Sequence, residues 1–237
     1  NETSVTLNAA QAGPARIELT AADGAVTVLK DGLDYPAGTV VDASFMSAKA
    51  LSAFLDAQIE ASKRDGVLFS IHLKATMMKV SDPIIFGHAV KRFLKPVFDK
   101  HGAALDAAGV DANSGIGALI DRVAEMQGGG AIEAEIKDVM ADRPPMYMVN
   151  SDKGITNLHV PSDVIIGASW PALIRAGGKG WGPDGEAADT NCTVPDSSYA
   201  STYDETVRHL TETGALDPTT AGTAQNVGPI APNAAAH

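Results

Sequence analysis

The chain has 237 residues, 45% of them hydrophobic and 20% charged, a globular balance unlike that of a disordered segment and long enough for one large domain or two small ones. Its 18 Lys and Arg against 29 Asp and Glu give a formal net charge of −11, a field that repels nucleic-acid phosphates and anionic lipid surfaces, so neither is an expected partner. A lone Cys192 closes no internal disulfide and founds no structural zinc site, no apolar run reaches membrane-span length, and Asn1-Glu2-Thr3-Ser4 is no secretory leader, so a cytoplasmic place is expected.

From the N-terminus, Ser4–Leu7, Ala15–Thr20 and Ala25–Lys30 read as strands, the last two joined by an Asp23-Gly24 turn into a hairpin. The period then becomes helical, with Leu51, Phe54, Leu55 and Ile59 on one face between a Ser47 cap and Gly66. Val67–Leu73 predicts a buried strand. Asp82-Pro83 starts a helix through Ile85, Phe86, Val90 and Phe93 that Pro96 kinks or ends. Helices follow over Ile116–Met126 and Ile132–Met140, then a short strand at Met146–Val149. Pro161 opens a helical pattern to Ile174, Ala176–Asp189 reads as a glycine-rich loop, and Ser197–Thr213 is the last helix. The sum is an α/β fold, a layered sheet with flanking helices and a β-rich N-terminal lead-in: one domain over 1–216 with its hairpin lead-in at 1–43, then an irregular tail over 217–237.

No dinucleotide fingerprint, P-loop, zinc-protease or nucleophile-elbow motif is present. The densest polar segment is His72–Pro83, where Lys74, Lys79, Ser81 and Asp82 fall between a strand end and a helix N-terminus, a place that suits a small anionic ligand. The same residues equally suit a plain loop in which Asp82 caps the helix and the lysines are solvated, although Lys74, next to an apolar run, is the better placed for partial desolvation. Asn150, Ser151 and Asp152 form a second polar loop, either another wall of that crevice or simple turn chemistry.

The string from His72 to His88 (HLKATMMKVSDPIIFGH) closely resembles monomeric-type NADP-dependent isocitrate dehydrogenases. So do Met148–Val164 (MVNSDKGITNLHVPSDV), Trp181–Gly185, Pro195–Ala200 and Asp217–Thr220, in the family's order. The resemblance implies about half of that family's large domain and a parent reaction, oxidative decarboxylation of isocitrate to 2-oxoglutarate, that uses NADP and Mg or Mn. It makes Lys74 the active-site lysine that works in acid/base steps with a tyrosine, and Lys79, Ser81, Asp82, Asn150, Ser151 and Asp152 the candidates for substrate or anion binding.

The resemblance also marks departures. Gly167 stands where a metal-binding aspartate is expected, which removes a charge and an oxygen donor, and the tyrosine falls near His237. Trp170, Ala176, Gly177, Gly180, Ser201 and Thr202 also differ from expectation, several replacing larger apolar residues. With no initiator Met, and with a tag-like Ala234-Ala235-Ala236-His237 at its end, the sequence suggests an excised or engineered domain, catalytically incomplete alone and without cofactor. The alternatives are an enzyme active when complemented by the missing segments, in a homo-oligomer or with a complementary chain, and a resurfaced binding scaffold.

Overall fold

The structure, a computed structural model, describes residues 2–74 and 81–215; Lys79 and the tail from 217 lie outside them. The chain is mixed α/β with small sheets, and it separates into two compact units, residues 1–47 and the chain from Ala48 onward. The β-rich lead-in expected over 1–43 lies within the first unit. No helix among the described residues is long and apolar enough to cross a membrane.

The first unit holds two antiparallel pairs. β1 (Glu2–Thr6) pairs with β4 (Val40–Ser44), and β2 (Gly13–Thr20) pairs with β3 (Val26–Tyr35) through the turn at Gly24, whose positive φ of 84° favours glycine. Alternation within each strand announces β2 and β3, but nothing local in β1 names a partner more than thirty residues away. Ile17, Leu19, Val26 and Val28 remain exposed on the ribbon.

In the second unit, α1 (Ala48–Asp65) buries Leu51, Leu55 and Ile59 and stops at Gly66, φ 67°. β5 (Leu68–Ile71) follows and is buried at all four positions. A strand buried on both faces needs partners on both edges. On one edge β5 runs parallel to β9 (Ala187–Thr193), which pairs antiparallel with β8 (Lys179–Trp181). On the other edge the Phe69 amide donates to the Pro145 carbonyl and the Tyr147 amide to the Phe69 carbonyl.

The helices around this strand are α2 (Ser81–Phe93), α3 (Lys95–Ala107), α4 (Gly115–Ala124) and α5 (Gly129–Asp142). Phe69 stacks on Phe93 with centroids 5.9 Å apart, and Phe86, Ile116, Leu119, Val123 and Ile136 complete one core. Pro96 does end α2, but it also begins α3: proline needs no amide partner in the first turn of a helix. β6 (Met148–Asn150) and β7 (Ile155–Thr156) form a small hairpin, α6 (Ile166–Arg175) carries Pro171 inside it, and α7 (Ser197–Thr213) matches the predicted last helix.

The expected loop over 176–189 is a correction, since β8 and the start of β9 occupy it. Glycine argued for a loop, yet Gly180 is there for close approach: a Cβ at this position would lie 2.3 Å from the Tyr147 ring.

Candidate functional site

The parallel pairing of β5 and β9 brings their C-terminal ends together, where open α/β sheets place ligands. Beyond Ile71 the chain stays extended. The His72 amide donates to the Thr193 carbonyl (2.9 Å), the Leu73 amide to Val164 (2.8 Å), and the Ile166 amide to Leu73 (2.7 Å). Lys74 is thereby delivered, half-buried, at the end of this extended segment.

Asp82 is fully buried in the first turn of α2. One carboxylate oxygen accepts the Lys74 amide at 2.7 Å and the other accepts the Ser81 hydroxyl at 3.3 Å. An acid in the first turn is also favoured by the helix dipole. Lys74, Ser81 and Asp82 are therefore joined, and Asp82 does more than cap its own helix because it also fixes the main chain that carries Lys74.

Asn150, Ser151 and Asp152 sit in the β6–β7 turn. The Asn150 side chain accepts the Lys153 amide (3.0 Å) and the Ser151 hydroxyl donates to the Gly182 carbonyl (2.9 Å), while Asp152 is exposed. Asn150 thus closes its own turn, while Ser151 ties the loop to the residue that follows β8.

The buried polar layer behind Lys74 has no sequence motif. His72 lies between two hydroxyls, with Nε2 2.8 Å from Ser70 Oγ and Nδ1 2.7 Å from Ser169 Oγ. Burial lowers its pKa from 6.5 to about 4, which keeps the ring neutral at pH 7. Ser70 can also donate to the Asn191 carbonyl (3.0 Å) and Ser169 to the Ile165 carbonyl (3.1 Å), so each hydroxyl has an alternative acceptor and either ring tautomer is satisfied. Asn157, 1% exposed, donates to the Ile71 carbonyl at 2.9 Å, while its own Oδ1 is buried without a partner. The run Val67–Leu73 marks a strand, but only the fold brings Ser169 and Asn191 to its Ser70 and His72.

Gly167 lies in the first turn of α6, two residues before Ser169. Its φ is not in the left-handed region, and a Cβ there would meet nothing within 4 Å. The backbone accepts an aspartate at this place, but the chain carries none. Among the described residues no group of three or more His, Cys, Asp or Glu is gathered that could hold a metal ion, and Gly167 adds no side-chain oxygen donor.

The family model for monomeric isocitrate dehydrogenase matches residues 1–237. The isocitrate dehydrogenase (NADP) of Azotobacter vinelandii is 51% identical over 224 residues, which cover 94% of this chain and 30% of that protein. Isocitrate dehydrogenase (NADP) 2 of Colwellia maris is 49% identical over 236 residues, covering 99% and 32%, and the Corynebacterium glutamicum protein is 48% identical over 234 residues, covering 99% and 31%. The chain thus spans about a third of the length of the curated relatives it matches.

Proposed function

The chain belongs to the monomeric isocitrate dehydrogenase family, and from that premise we propose that the region around Lys74 is part of the substrate site of an NADP-dependent enzyme that decarboxylates isocitrate oxidatively to 2-oxoglutarate. The observation that carries the reading is the anchoring of the Lys74 main chain by the buried Asp82 carboxylate at the C-terminal end of a parallel strand pair. In this reading the Lys74 ammonium faces the substrate's carboxylate and hydroxyl oxygens and exchanges a proton in the acid/base steps. Asp82 and Ser81 are positioning residues, and Lys79 adds positive charge for the anion. The three-stranded sheet with its helices then belongs to the layered sheet of the family's large domain, and the protein works in the cytoplasm.

We further propose that this chain does not turn over isocitrate by itself, because Gly167 supplies no oxygen donor where the resemblance calls for a carboxylate. The test is NADPH formation by the purified chain with isocitrate, NADP and Mn²⁺, with and without a second polypeptide supplying the rest of a relative. No turnover from the chain alone is expected. Activity from the chain alone overturns the incomplete-site reading; activity that appears only on complementation and is lost in Lys74→Ala supports the role of Lys74.

A further inference from the structure

A cavity of about 370 Å³ opens between α6, β9 and α7, on elements carrying several of the residues that depart from the family resemblance. Its walls include Trp170 and Ile174 from α6, Cys192 from β9, and Val207, Leu210 and Thr211 from α7; none of its lining residues is charged. Ile174 and Val207 are each 38% exposed, so apolar surface on both walls meets water. From residue 200 to 213 no side chain of α7 is buried, so the helix roofs the cleft without filling it. The Trp170 ring packs against Tyr203 of that roof, with centroids 5.4 Å apart, which holds the cleft to a definite width at one end.

We propose that this cleft is a binding site for a small, uncharged aromatic molecule of one or two rings. An apolar cavity of roughly 150 Å³ already takes benzene, and this one is more than twice that size, within the ordinary range of small-ligand pockets. The lining excludes a charged ligand, because it offers no counter-charge and desolvating an ion there is costly. Aromaticity is favoured over a plain aliphatic chain by the Trp170 indole and the Cys192 sulfur, both of which gain from contact with a ring. Burial pushes the Cys192 thiol up to about 11, so it stays neutral at pH 7 and serves as a wall and not as a nucleophile. The proposal does not rest on the role given to Lys74.

The sequence has two tryptophans, so Trp181→Phe leaves Trp170 as the only indole. Bromobenzene is then titrated into this variant of the 237-residue chain, since its heavy atom quenches an adjacent indole. The expected result is saturable quenching with a midpoint on the order of 0.1 mM, the scale set by a small ligand of high efficiency. The midpoint weakens at least tenfold in Thr211→Phe, a change on an exposed helix position, and in Cys192→Leu, which fills the cleft from the strand side. Benzoate, the same ring with a charge, gives no saturable signal. Linear quenching that is the same in the filled variants means collision only and overturns the proposal. It is also overturned if bromobenzene is excluded while light scattering gives twice the monomer mass, because a second copy then covers the cleft.

Discussion

The Asp82 carboxylate accepts the Lys74 backbone amide at 2.7 Å, tying the end of β5 to the start of α2. The bond is made by the lysine's main chain, so it fixes the place from which the side chain starts.

Asp82→Ala removes the buried, first-turn carboxylate that accepts the Lys74 amide and the Ser81 hydroxyl. A loss of roughly 2–4 kcal/mol is expected in urea unfolding. In the folded state the Lys74 amide exchanges faster with solvent, by a larger factor than amides in α5. Unchanged exchange at Lys74 removes the anchoring role.

His72 sets a pH dependence. The unfolded imidazole takes up its proton near 6.5, whereas the buried ring resists it down to about 4. Between those values the unfolded state binds more protons, so stability is full above pH 6.5 and falls as the pH drops toward 4, by about 3 kcal/mol for this group. Burial lowers His88 and His159 in the same sense. The check is the urea midpoint at pH 7 and pH 4.5 in the parent and in His72→Gln, with a shallower fall expected in the variant.

Gly167→Asp is predicted to be tolerated and mildly stabilising, by roughly 0.5–1 kcal/mol. It removes a flexible residue from a helix and adds an acid to a first turn, where a Cβ has open space. Thermal unfolding measures it. A lower midpoint contradicts the open space around the residue.

Gly115→Ala is predicted to be severe. The residue has φ 96°, and a Cβ would lie 2.0 Å from the His159 carbonyl oxygen. The loop pressed against it also accepts the first amides of α4, with Ile116 donating to Leu158 and Gly117 to His159. A loss of about 3 kcal/mol or more is expected, and a near-native denaturation curve overturns this account.

Elements set by local rules were legible in the sequence: the Asp23-Gly24 hairpin, α1 between Ser47 and Gly66, and α7. Elements set by distant partners were not. β8 and the start of β9 read as loop because Gly178, Gly180 and Gly182 dominate the local pattern, while their strand character comes from β5 and from the room Tyr147 demands. In the site, Asp82 and Lys74 could be read from a strand followed by a capped helix. The hydroxyls around His72 could not, since Ser169 lies 97 positions away in the chain.

β5 also carries a consequence for the order of synthesis. Its edge partners lie far downstream, and Ser70 waits for the Asn191 carbonyl, 121 residues further on. At roughly 5–20 residues per second that is on the order of ten seconds of translation. Throughout it Phe69, Ile71 and Leu73 are apolar strand residues on a chain whose neighbouring strand has not yet been made. The segment that ends in Lys74 is therefore completed late, and a ribosome stalled before Thr193 leaves it as the sticky end of a nascent chain.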